Sequence, residues 1–441
     1  MAEEINRLLQ VIFASRRKTG GTDLEAVEMA VRAAMHQAGA KVLKELLRQG
    51  APEQLSQPCS CGQKAEYKEQ RTKSILTAVG RIPMERPYYL CSHCHQGQCP
   101  ADAQLDVQGS EFSPGVRRMM ALVGGESSFQ VGREQLEWLA GLKVTAKAVE
   151  RTTEAIGADI ARRQGADIDR SLQLPLPVCT GAGIARMYVQ MDGTGVPVVR
   201  AETEGRKGKV PGEAARTREV KLGCVFTQTN VDAQGRAVRD EASTSYTGAI
   251  ESAEAFGRRI HCEAWQRGWN QARLRVVMGD GAVWVWNIAE EHFPGAVQIV
   301  DLYHAREHLW ELAGKLVTED GLPSQGWIRG CLQLLEEGKI EELVIELRSL
   351  ELQHQQMAKK ITTEAEYFVR NAERMRYPEF RRQGLFVGSG VIEAGCKTVI
   401  GARLKKSGMF WTVRGANALI ALRSCRLSYR FEDYWESRTA A

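Results

Sequence analysis

The chain has 441 residues, 43% hydrophobic and 26% charged, with 42 glycines and 13 prolines. This balance fits folded globular domains, about three at roughly 150 residues each, and excludes disordered, collagenous and coiled-coil chains. The formal net charge of +5 is too small to imply a polyanionic partner by itself, so the distribution of charge has to be read instead.

Residues 1–54 read as an N-terminal helical region. Leu24, Val27, Val31, Ala34, Met35 and Ala38 recur at helical spacing behind Thr22 and Asp23 as caps, and Gly50-Ala51-Pro52 stops the helix. Residues 55–108 change character. PCSCG and a polar stretch lead into TKSILTAVGRIPMERPYYLCSHC, where Ile75, Thr77 and Val79, then Ile82 and Met84, predict two short strands around Gly80. Residues 109–172 are helical again. REQLEWLAG and LKVTAKAVERTTEAIG predict two helices joined by a short turn, with Thr145 as cap. That is the rhythm of a helix-turn-helix, and also of two helices in a bundle.

A Pro/Gly linker covers 172–183. From 184 to 322 strands alternate with helices: MYVQMDG, VKLGCVFTQTN, a helix near 250–270, LRVVMGDG, a short helix, VQIVDLY and a helix from His304. Such alternation predicts an α/β domain. Residues 323–386 read as a helical insertion, and helices from Val391 to Leu427 close the pattern within 387–430. No apolar run reaches the ~18 residues of a membrane span. The N-terminus has early acids and no small-residue cleavage site, so no signal peptide is read and the cytoplasm is expected.

Four constellations carry chemistry. Cys59, Cys61, Cys91 and Cys94 form two close pairs flanking the predicted hairpin, a zinc-ribbon layout for a structural Zn²⁺. The Cys-x-Cys half is one residue shorter than the usual knuckle, which leaves His93, His95 or Cys99 as replacements for one ligand. Second, Asp192, Asp280 and Asp301 end strands, and Glu393 lies in the glycine-flanked helix GSGVIEAG. Oxygen ligands of this kind suit paired Mg²⁺ ions in phosphoryl transfer. The competing reading of Glu393 is a surface pair with Lys397. Third, Cys396 to Arg430 holds Lys397, Arg403, Lys405, Lys406, Arg414, Arg423, Arg426 and Arg430, with Phe410 and Trp411, and no acid. That is the electrostatic footprint of a polyanion. Fourth, His304-Ala-Arg-Glu307-His308 matches the H-x-x-E-H pattern of inverted zinc proteases, a short pattern that long chains produce by chance. No G-x-x-x-x-G-K-[ST] loop is present, so no nucleotide cofactor is expected.

MDGTGVP, REVKLGCVF, GDGAVWVWN, VDLYHAREHLW and GSGVIEAGCKTVIGARLKKSGMFWTVRGANALIALR together resemble a bacterial insertion-sequence DDE transposase of the Kra-type group, distantly Mutator-like. The segment from CSCG to LCSHC is similar to that group's zinc-binding region. The resemblance covers roughly residues 55–430. It implies an RNase H-like core interrupted by a helical insertion, with Asp192, Asp280 and Glu393 as catalytic ligands of two Mg²⁺ (or Mn²⁺) ions. Mutator-like relatives carry a Cys/His motif after the second acid; here Asp301-Leu-Tyr-His304 stands there, so Asp301 is a rival ligand and His304 a possible auxiliary. The implied partners are the double-stranded DNA of the element ends and target, contacted by Lys397, Arg403, Lys405, Lys406 and Arg414. A homodimer or higher oligomer on DNA, at the bacterial nucleoid, is implied with them. An RNase H-like nuclease without strand transfer and an inactive DNA-binding regulator are the alternatives.

Overall fold

The computed structural model describes residues 23–48, 50, 52, 54–173, 183–208, 214–315, 325–353 and 357–438. Thr22, Cys179 and most of the 172–183 linker lie outside the described residues. The chain divides into two units, Met1–Ala155 with Glu432–Ala441, and Ile156–Phe431. Among the described residues no helix is long and apolar enough to cross a membrane.

In the first unit, α1 (Leu24–Leu46) starts at Asp23, whose side chain accepts from the Ala26 N–H at 3.3 Å. A four-stranded antiparallel sheet follows in the order β1 (Ser56–Pro58), β2 (Lys64–Thr77), β3 (Gly80–Cys91), β4 (Gly97–Gln98). The central hairpin is far longer than the two short strands predicted from its tip. Its lower half, KAEYKEQRTKS, is polar on both faces, so the period-2 signal of a half-buried strand is missing there. After the short α2 (Pro100–Gln104), the tip residue Leu76 packs with Val116, Met120, Leu136 and Val149 of α3 (Pro114–Glu126), α4 (Phe129–Ala140) and α5 (Ala146–Gln173), and with Leu142 in the turn between α4 and α5. Gly141 ends α4 in the left-handed conformation at φ 67°, and the Thr145 hydroxyl accepts from the Ala148 N–H at 3.1 Å at the start of α5. The predicted pair of helices and its turn are therefore present.

The second unit is built on a five-stranded sheet, in the order β7 (Ser245–Ala249), β6 (Thr217–Gln228), β5 (Arg186–Pro197), β8 (Leu274–Gly279), β9 (Val297–Val300). β5, β6 and β7 pair antiparallel, while β8 and β9 run parallel to β5. β7 was not legible in the sequence, because Ser-Tyr-Thr-Gly-Ala at a sheet edge has no apolar run. Helices α6 (Ala253–Gln266) and α7 (Val283–His292) follow the strands as crossovers. After α8 (Leu302–Lys315) come the helices α9 (Gln325–Glu336), α10 (Ile340–Gln353), α11 (Ala358–Asn371) and α12 (Tyr377–Arg382), where the helical insertion was expected. The chain returns to the sheet with α13 (Gly390–Gly395), a π-helical turn Cys396–Gly401, α14 (Ala402–Leu404) and the largely buried α15 (Val413–Leu427).

Candidate active site and metal centre

The hairpin brings two cysteine pairs together because β1–β2 and β3–β4 each end in a tight turn. Cys59 Sγ lies 3.5 Å from Cys94 Sγ, and Cys61 Sγ 3.6 Å from Cys91 Sγ. All four sulfurs lie within 4.8 Å of one another. Tetrahedral Zn–S bonds of about 2.3 Å place sulfurs about 3.8 Å apart, so the set fits a structural zinc. His93, His95 and Cys99 are not part of this group, which consists of the four cysteines. The Cys61 N–H and then the Cys94 thiol lower the Cys59 pKa to about 7. Cys94 is pushed up to about 12: the Gln96 N–H favours its thiolate, but desolvation and the neighbouring thiols outweigh it.

The acids of the second unit are set by strand register. Gln190 of β5 lies opposite Met278 of β8, and Met278 opposite Ile299 of β9. Two residues further on, on the same face, come Asp192, Asp280 and Asp301. The three acids therefore form one row across three adjacent strands. Asp280 and Asp301 directly follow the ends of β8 and β9, where the Asp301 N–H donates to the Gly279 carbonyl at 2.9 Å. Asp192 does not end its strand as expected: β5 stays paired with β6 as far as Pro197.

Their environments separate their roles. Asp301 is 1% exposed. Its Oδ1 accepts from the Tyr303 and His304 N–H groups at 2.6 and 3.2 Å, capping α8. Its Oδ2 accepts from the Ser389 N–H at 2.7 Å and from the Ser389 hydroxyl. Both oxygens are thus committed to tying α8 to the segment before α13. Asp280 uses one oxygen, accepting from the Ala282 N–H at 2.9 Å. Asp192 accepts from the Gly193 N–H at 2.6 Å and from the Cys396 thiol at 3.3 Å. Burial raises the Asp192 pKa above the ordinary carboxylate value; the hydrogen bonds oppose this, and the nearby negative charge of Asp280 adds to it.

Glu393 is exposed on α13, and neither its side chain nor that of Lys397 has a hydrogen-bond or ion-pair partner among the described residues, so the competing surface pair is not formed. Its helix is fixed by residues that sequence reasoning missed. Gln190, fully buried, accepts from the Ile392 N–H at 3.1 Å and donates to Met278 Sδ at 3.2 Å. The available signal was a lone polar residue inside an apolar strand, two places before Asp192. Gly395 lies so close to β6 and β7 that a Cβ there would sit 2.6 Å from the Tyr246 ring.

The insertion also reaches the site. Tyr367 of α11 donates to the Asp280 carbonyl at 2.9 Å and packs over Gly281, which has φ +95° and no room for a Cβ. His308 stacks on Tyr367 at 4.0 Å and pairs through Nδ1 with Glu364 at 2.7 Å. His304 lies 3.4 Å from Glu307. The H-x-x-E-H residues are therefore packing and pairing groups, and among the described residues they form no metal cluster.

The basic stripe divides. Lys397, Lys405, Lys406 and Arg414 are exposed, and Lys405 donates to the Thr194 hydroxyl on β5. Arg403 corrects the expectation of a DNA contact: it is 0% exposed, its guanidinium 5.0 Å from the Trp411 ring centre and 3.4 Å from Met409 Sδ. Arg423 is buried too, donating to the Val399 carbonyl at 2.8 Å and to the Thr398 carbonyl. Those carbonyls belong to the π turn, which Arg423 thereby ties to α15.

No family model matches the chain. A UPF0236 protein in the vanSb 3′ region of Streptococcus gallolyticus is 20% identical over 378 residues, covering 83% of this chain and 75% of that protein. Among solved structures, the Drosophila P element transposase strand transfer complex is similar at 10% identity with a TM-score of 0.25, over 71% of this chain and 79% of that one. So loose a superposition carries no argument, and the functional reading rests on the geometry of this chain.

Proposed function

We propose that the chain is an insertion-sequence DNA transposase of the DDE type, with the Kra-type resemblance as its closest description. The observation that supports this best is the row of Asp192 and Asp280 on adjacent strands, with the helix of Glu393 pinned to the strand of Asp192 through Gln190. On this reading the five-stranded sheet is an RNase H-like core and α9–α12 its insertion.

Asp192, Asp280 and Glu393 are the proposed ligands of two Mg²⁺ (or Mn²⁺) ions. As placed, the three carboxylates do not all converge within 4.8 Å. Two ions about 4 Å apart ask for that wider spread, since each acid serves a different ion or bridges both. Bound there, such ions would activate the attacking oxygen and take up charge developing on the phosphate. Asp192, held between Asp280 and the Cys396 thiol, gains most from a bound cation, because its charge is disfavoured by burial. Asp301 keeps the strand ends and the α13 segment in place rather than holding metal. Lys397, Lys405, Lys406 and Arg414 would contact phosphates.

The proposed reaction is hydrolysis of a phosphodiester at the element end, which frees a 3′-OH. That 3′-OH then attacks a target phosphodiester, displacing one target strand's 3′-oxygen and leaving no covalent protein–DNA intermediate. The four-cysteine module and α3–α5 would bind the terminal repeats, with the protein as a homodimer or larger assembly on DNA.

The test is purified protein with Mg²⁺, DNA from the borders of the element and a target plasmid. Cut ends and joined products are expected. Cut ends without joined products would replace this reading with a nuclease, and binding without cutting with a regulator.

A further inference from the structure

We infer that a hollow at the far end of β5 receives an unpaired nucleotide of bound DNA, its base on Phe410 and its phosphates among Arg200, Arg206 and Arg216. The inference deepens the DNA reading above and rests on it. The hollow has a volume of about 1260 Å³, enough for more than one nucleotide, and Val198, Val199 and these four residues line it.

Its shape follows from how the chain returns to the sheet. Trp411 donates its backbone N–H to the Pro197 carbonyl at 3.2 Å and accepts from the Val199 N–H at 2.9 Å. Its indole N–H donates to the Leu404 carbonyl at 3.0 Å, and the side chain is buried. With Trp411 fixed inward, its neighbour Phe410 is left 64% exposed beside the hollow. Among the described residues no other ring or cation covers the face of Phe410.

The surrounding charge defines the partner. Arg200, Arg206 and Arg216 are exposed, and their side chains make no ion pair or hydrogen bond among the described residues. Elsewhere Arg86, Arg117, Arg259 and Arg376 all pair with acids. Glu204 is the acid among the lining residues, so the hollow is net cationic. Guanidinium forks match phosphate oxygens, and an aromatic face accepts any base. In a duplex the base faces are already stacked on one another, so the ring selects an unpaired base. The hollow also lies on the strand of Asp192, about 20 Å further along at ~3.3 Å per residue. Lys405, bonded to Thr194, marks the path between them.

The test compares, with the full chain and no added metal, a blunt duplex and the same duplex carrying a short unpaired overhang with 2-aminopurine. Phe410→Ala should weaken overhang binding roughly ten- to hundredfold, the loss of one base–aromatic stack, and abolish quenching of the probe. Blunt-duplex binding should stay unchanged, and Phe410→Trp should restore the overhang preference. Equal losses on both DNAs, or none, would overturn the inference, as would quenching that survives Phe410→Ala. The cleavage assay separates this from the parent reading. A protein that prefers overhangs but never cuts refutes only the catalysis, and one that cuts without that preference refutes only the hollow.

Discussion

The side-chain oxygen of Gln190 accepts a hydrogen bond from the backbone N–H of Ile392 at 3.1 Å, joining β5 to α13 across 202 positions of sequence. One residue beyond Ile392 is Glu393, and two beyond Gln190 is Asp192. This single bond therefore sets the spacing of two proposed metal ligands. Gln190→Leu keeps the volume but leaves the Ile392 N–H buried without an acceptor, at a cost of about 1–3 kcal/mol. Lower thermal stability and slower DNA cleavage are expected together, and a variant that melts and cuts like the wild type would make the bond incidental.

Charge-removing substitutions should separate ligands from scaffold. Asp192→Asn, Asp280→Asn and Glu393→Gln are each expected to abolish Mg²⁺-dependent cleavage while DNA binding persists, because neutral amides hold Mg²⁺ poorly. Asp301→Asn should instead destabilise the fold by about 2 kcal/mol, read as a lower melting temperature, since its two oxygens serve four donors. A well-folded but dead Asp301→Asn beside an active Asp280→Asn would exchange their roles.

Metal analysis of the purified protein should find about one zinc per chain, lost in the Cys91→Ser/Cys94→Ser double variant. With Cys59 at about 7 and Cys94 at about 12, zinc must displace protons on binding. Affinity should therefore fall as the pH drops below neutral. A folded wild type free of metal would rule the site out.

For the stripe, the salt dependence of duplex binding is the readout. Replacing Lys405 and Lys406 with Ala should reduce the slope by about one per lost phosphate contact. Arg403→Ala should act on folding instead, because the guanidinium is fully buried. If Arg403→Ala flattens the slope without changing stability, its assignment as a packing residue is wrong.

His261 gives a pH signature of folding. It packs among Trp265, His292 and Phe293, and burial, followed by His292, pushes its pKa from 6.5 to about 4. The folded value lies below the unfolded one. Stability from the neutral ring is therefore complete above pH 6.5 and declines as the pH falls towards 4. Urea midpoints at neutral and mildly acidic pH should show this decline, and His261→Phe should flatten it.

Local chemistry made several features readable without a structure. Cys59, Cys61, Cys91 and Cys94 announced a four-cysteine cluster because each pair is a short-range spacing flanking one hairpin. Asp280 and Asp301 announced strand ends because apolar runs stop at them, and the Gly141–Thr145 turn declared itself through its cap. The same reading failed at Asp192, because pairing with β6 carries β5 on through Gly193-Thr194-Gly195 to Pro197. Periodicity could not find β7 or the polar half of the β2–β3 hairpin, whose strands are held by pairing rather than by an apolar face. Nor could it rank the acids. Asp280 and Asp301 look alike in sequence, and only the arrival of Ser389 from 88 positions away saturates one of them and leaves the other with an oxygen to spare. Arg403 and Lys405 likewise stand two residues apart in one basic run. Arg403 lies in α14 and turns onto Trp411, while Lys405 caps the helix end and turns towards Thr194, because side-chain direction is fixed by backbone placement and packing and not by the composition of the run.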